Sequence, residues 1–205
     1  LLHALLLDFK NIQITFPFSE YFQIPSGKDI LINEAYVEFW AVVLNCSINS
    51  FIEYNKANYT LFIRHLSRER HFSILQVGKI LNYFGFNDFK DFNKRYNSKS
   101  PIIFKETTNA FSYYFIKCSL LFNLNVFLDF LIKYNNRSIS NNISTDIIYW
   151  NISDSRSIAK FKALLTQIIF NKSFQTAINK SIKKYNNKNY SKHTILYKSM
   201  KMTNT

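Results

Sequence analysis

Three glycines and three prolines in 205 residues leave this chain few places to turn tightly. A β-sandwich or barrel needs many such turns, so the expected architecture is mainly α. The same scarcity excludes collagen-like, Gly-rich and Pro-rich chains, and three isolated glycines cannot make a phosphate-binding loop. Aromatic residues supply 18% of the chain, with 21 Phe and 13 Tyr, which excludes a wholly disordered polymer. The length suits one domain with a sizeable core. Cys46 and Cys118 are too far apart for a redox motif or a zinc knuckle. No uncharged apolar stretch reaches the length of a membrane span.

Charge is spread unevenly. Residues 1–154 carry all 13 acidic residues and 15 of the 26 basic ones, while residues 155–205 carry 11 basic residues and no acidic one. This divides the chain into a mainly helical domain over 1–170 and a basic, partly disordered C-terminal arm over 171–205. The arm has the charge to contact a polyanion, chiefly through residues 180–205. With 24 Asn and 25 Ile, the composition is also what an AT-rich coding sequence produces, so part of the basicity is expected from codon usage alone.

Hydrophobic spacing and turn residues give the expected elements. Tyr21–Ile24 and Asp29–Ile32 flank Pro25-Ser26-Gly27-Lys28, which reads as a short β-hairpin-like insert near the N-terminus. Asn33 is expected to cap a central apolar helix running to about Ser50. A second helix spans about Tyr59 to Phe84 and ends at Gly85. Phe86–Tyr96 reads as a short amphipathic helix, and a long apolar helix opens at Thr107 or Thr108 and runs to about Tyr134. A polar loop over 135–144 and a short connection follow. Asp154 then caps a last helix over 157–170.

The segment with chemical content is Ile32-Asn33-Glu34-Ala35-Tyr36-Val37-Glu38. Glu34 and Glu38 share one face of an otherwise apolar helix, and two carboxylates placed side by side away from water raise each other's cost of ionisation unless a cation relieves it. A metal ion is one such cation. The alternative is a first-turn Glu34 at the positive end of the helix dipole with Glu38 paired to an arginine. His3, in Leu1-Leu2-His3-Ala4-Leu5-Leu6-Leu7, fits the end of a His-Glu-x-x-His helix whose first His and Glu would precede Leu1. The chain opens inside this apolar run with no basic region before it. It is therefore expected to begin within a longer protein, without a signal peptide and in an intracellular setting.

On these residues the chain resembles the thermolysin-like zinc peptidases and zinc aminopeptidases, the gluzincins, in which a second helix beginning Asn-Glu supplies the third zinc ligand. The resemblance covers about residues 1–45. It implies a zinc-dependent metallopeptidase-like protein acting on peptide or protein substrates, with His3 and Glu34 as zinc ligands and Glu38 holding a zinc-bound histidine from behind. The stretch 17–32 would be an insert forming a substrate-binding edge. Such an enzyme needs a donor to the tetrahedral oxyanion. Tyr113 and Tyr114 are the best placed by chain order, with His65 and His71 as competitors. The contrasting reading is a non-enzymatic basic helical protein that binds nucleic acid or a structural scaffold through its arm.

Overall fold

The structure is a computed structural model, and it describes residues 16–27, 30–106, 108–135 and 154–186. The fold is mainly helical. Its elements are α1 (Phe18–Tyr21), α2 (Ile32–Tyr54), α3 (Tyr59–Tyr83), α4 (Phe89–Phe92), a π-helical turn (Phe111–Ile116) continuous with α5 (Lys117–Phe122), α6 (Leu124–Asn135), α7 (Ser155–Ile169) and α8 (Lys172–Asn186).

Local chemistry sets several of the helix ends. Gly85 sits at φ +91°, and its N–H donates to Asn82 O while that of Phe86 donates to Leu81 O, closing α3 in a Schellman motif. Asp154 accepts from Ser157 N at 2.9 Å and caps α7 as the sequence predicts. The start of α2 differs from expectation. Its N-cap is Leu31, with no side-chain bond, and Asn33 lies inside the first turn.

The long helix expected over 107–134 is not continuous. It begins as a π turn and then breaks at Asn123, where the axis turns by 88°. Asn123 Nδ2 donates to Ser119 O and to Ile168 O of α7, so the corner is tied to its neighbour. Helix expected over 86–96 forms only across α4.

The expected β-hairpin is not formed among the described residues. Ile32 opens α2 instead of ending a strand, and Lys28 and Asp29 lie outside the described residues. The extended stretch after α1 pairs elsewhere. Gln23 N donates to Phe92 O at 2.9 Å, Lys94 N to Tyr21 O at 2.8 Å and Phe104 N to Gln23 O at 2.6 Å. The physical reason is Phe22, which is fully buried and stacks on Phe92 at 4.9 Å and on Phe170 at 5.6 Å, with Phe115 edge-on at 5.4 Å. Burying that ring among aromatics from three other segments outweighs the local turn signal.

The core does not end at residue 170. In α8, Phe174, Ile178 and Ile182 are fully buried and Tyr185 nearly so, a stripe at spacings of four, four and three. This stripe packs along α3, the most extensive helix pairing in the fold. Gly78 of α3 makes it possible, because a Cβ there would meet Ser181 and would stand 2.9 Å from Ile182 N. Of the 11 basic residues after 154, seven (Arg156, Lys160, Lys162, Lys172, Lys180, Lys183, Lys184) therefore lie on α7 and α8. Residues 187–205 are outside the described set.

Among the described residues α2 is the single unbroken helix long and apolar enough to cross a bilayer. Its inward residues Tyr36, Phe39, Trp40 and Cys46 are buried against the rest of the fold.

Candidate functional site

The π turn has two faces. Phe111 and Phe115 enter the aromatic cluster around Phe22. Tyr113, Tyr114 and, one turn on, Lys117 meet the carboxylates of α2. Phe111 N is held by Glu106 Oε2 at 2.6 Å, which fixes the start of the turn. π turns inside α-helices recur at functional sites, since the widened turn re-aims side chains at the expense of regular hydrogen bonding.

Tyr113 Oη donates to Glu34 Oε2 at 3.3 Å. Both side chains are partly exposed, so the pair opens to solvent. Burial pushes the Tyr113 phenol above its ordinary range, and Glu34, by its charge and by accepting the bond, pushes it further, against a smaller opposing bond with Asn109. Burial and then Glu38 raise Tyr114 in the same way. Both raised phenols keep their protons more firmly beside the carboxylates, and Tyr113 donates its own to Glu34.

Behind them lies a charge that the sequence reading passed over. Lys117 is 1% exposed, with its ammonium 5.7 Å from the centre of the Tyr114 ring. Burial pulls its pKa down, while Glu38 first, then the neighbouring Cys118 and Glu69, hold it up. Glu69 of α3 is itself 1% exposed. Glu38, Glu69 and Lys117 thus bring opposite charges from α2, α3 and α5 into one electrostatic neighbourhood. The thiols nearby are inert. Burial, then Glu69, pushes Cys46 up to about 12, and burial pushes Cys118 up to about 12 against Lys117. The one available signal was a lone Lys in the apolar run Phe115-Ile116-Lys117-Cys118-Ser119-Leu120.

The expected site residues divide accordingly. Glu34, Glu38, Tyr113 and Tyr114 meet at the junction of α2 with the π turn. His3 lies outside the described residues. His65 is elsewhere: its Nε2 is 2.9 Å from Glu53 Oε2. Glu53 follows Glu34 by 19 residues on α2, which at 1.5 Å per residue is about 28 Å along the helix. His71 is exposed on α3. Among the described residues no three or more His, Cys, Asp or Glu side chains come together as a metal-binding group; of the expected ligands only Glu34 is described.

Comparison with family profiles, with curated proteins and with solved structures finds no match to this chain.

Proposed function

We propose that the junction of α2 with the π turn is this chain's share of a zinc-dependent peptidase-like centre. The observation that supports it is the Tyr113–Glu34 hydrogen bond. The carboxylate singled out by the Asn33-Glu34 motif and a tyrosine singled out by chain order meet across 79 positions of sequence. In this reading Glu34 and His3 would hold the metal, with a further histidine from the sequence before Leu1. Zinc, when bound, would supply Lewis-acid polarisation of a peptide carbonyl and activation of water. Tyr113, held neutral beside Glu34, would donate to the developing oxyanion. Glu38, in the electrostatic neighbourhood of Lys117, would orient the histidine side of the centre.

The test is metal content. The protein extended upstream of Leu1 is expected to bind one zinc per chain, with the first His-Glu of the motif in the added residues. Glu34→Gln should lower the bound zinc strongly. A metal-free extended protein, or one whose zinc is indifferent to Glu34→Gln, would overturn the reading. Such an outcome would leave the second reading, a helical protein that contacts polyanions. That reading rests on the placement of seven of the late basic residues on α7 and α8, with no acidic residue among them.

A further inference from the structure

The turn between α2 and α3, at the far end of α2 from the junction, is built unlike the rest of the surface. Every residue from Phe51 to Ala57 is exposed. Three of these are large and apolar or aromatic: Phe51 is 54% exposed, Ile52 71% and Tyr54 51%. Ile48 precedes them one turn back, and Tyr59, 77% exposed, opens α3. Large apolar groups left together in water mark an interaction surface. The tip is not a frayed end. Ser50 Oγ donates to Asn58 O at 2.8 Å, Asn58 Oδ1 accepts from Leu61 N at 3.0 Å, and His65 binds Glu53.

The charge exposed at and beside the apolar tip is mostly cationic. Between residues 39 and 68 the only acidic residue is Glu53, engaged by His65, while Lys56, Arg64 and Arg68 are exposed. Counting from Tyr59 at 1.5 Å per residue, Arg64 stands about 8 Å and Arg68 about 14 Å up α3. The hairpin thus carries Phe51, Ile52 and Tyr54 with the cationic Lys56 at its tip, and Tyr59, Arg64 and Arg68 along the start of α3. An anionic membrane surface offers partners for both kinds of group, the acyl boundary for the apolar rings and phosphates for the cations, and tyrosine and basic side chains favour that interface. Beside the tip a cleft of about 440 Å³ opens between α3 and the α5–α6 corner. Tyr59, Ile63 and Arg70 lie on the α3 wall and Val126 on the other.

The geometry points to the α2–α3 hairpin tip as a peripheral membrane anchor that seats Phe51 and Ile52 in an anionic phospholipid surface, with Arg64 and Arg68 on the headgroups. This is independent of the metal reading, because the two features occupy opposite ends of α2. The depth required is shallow, about 5–10 Å, within reach of one helical turn and its side chains.

The test uses the full chain with vesicles of phosphatidylcholine alone and of phosphatidylcholine with about a third phosphatidylserine. Binding should favour the anionic vesicles and weaken with salt. Phe51→Ser with Ile52→Ser should lower partitioning by about tenfold or more, since it removes the inserting groups and leaves every charge in place. Arg64→Gln with Arg68→Gln should lower it by a similar factor on anionic vesicles only. These side chains are exposed, so the variants should fold. As an independent readout, Ile52→Trp should shift its emission to the blue on anionic vesicles, measured as a difference from the wild-type chain with its buried Trp40. An unshifted Ile52→Trp spectrum, or full binding by the Phe51/Ile52 double variant, would overturn the proposal and leave any vesicle binding to the other basic residues. A lipid-free dimer that the same double variant makes monomeric would also overturn it and assign the tip to a second copy of the chain.

Discussion

The two faces of the π turn show opposite uses of a buried helix. On one side Phe111 and Phe115 join Phe22, Phe92 and Phe170 in a cluster whose rings stack, tilt or meet edge-on at 4.9 to 6.2 Å, with the Arg95 guanidinium 4.6 Å over the Phe170 ring at its edge. On the other, Tyr113, Tyr114 and Lys117 face Glu34 and Glu38, with Glu69 behind. The first arrangement is what stability alone would select, since each ring removes a large apolar surface from water. The second is not. A buried Lys with acidic neighbours recovers through their attraction little more than the desolvation it costs, and an apolar replacement of similar volume is often as stable. Stability alone does not explain why polar groups are kept in such a place, next to a half-open Tyr–Glu pair.

The contrast is sharpest in truncation of the cluster. Phe22→Ala should destabilise the protein by about 3–5 kcal/mol, the range for emptying a well-packed aromatic site. The loss should be similar at every pH, because no titrating group belongs to the cluster. Urea denaturation at several pH values measures both statements. A loss below about 1 kcal/mol would mean that the cluster collapses around the gap and is not the organising core.

The junction side should instead respond to alkali. Cys46 and Cys118 are raised to about 12, so the native chain keeps protons that the unfolded chain releases above the ordinary thiol range. A raised native pKa contributes stability that is complete below that range and is lost progressively as the pH rises from it toward about 12. Two such thiols remove at most about 2.7 kcal/mol per pH unit, from 1.36 kcal/mol each. Lys117 works in the opposite sense. Its pKa is lowered, so the native chain releases that proton first and gains stability as the pH rises toward the ordinary lysine range. The expected result is a fall in the urea midpoint above about pH 9 that Cys46→Ala with Cys118→Ala flattens. An unchanged slope in that double variant would show that the alkaline limit lies in other groups.

The smallest effect is the most informative about function. Tyr113→Phe removes one hydrogen bond of 3.3 Å between partly exposed groups, so it should change stability by less than about 1 kcal/mol. If the Tyr113 hydroxyl serves an oxyanion, the same change should lower peptide hydrolysis by the zinc-loaded, upstream-extended protein by about a hundredfold or more. A stability loss comparable to that of Phe22→Ala would make the Tyr113–Glu34 pair a structural tie and erase the contrast between the two faces.

What the sequence determined by itself is what a turn or two of chain can encode. The mainly helical class, the extent of α3 to its Gly85 cap, the Asp154 cap of α7 and the shared face of Glu34 and Glu38 all rest on capping chemistry and on 3.6-residue spacing, which act between near neighbours. The four-residue stripe of α8 was present too, but the lysines between its apolar positions gave the segment the look of a solvated arm. Tertiary structure alone decided the rest. Phe22 takes the 92–94 segment as its partner because the pocket that buries its ring is assembled from α4, the π turn and Phe170, none of which the local Pro-Ser-Gly turn can represent. Gly78 became a helix-crossing point only once Ser181 and Ile182 lay across it. Lys117 became a buried charge because α2 and α3 close over it and bring Glu38 and Glu69 near. In each case the deciding quantity is the surface offered by residues tens of positions away, and that exists only when the helices have packed.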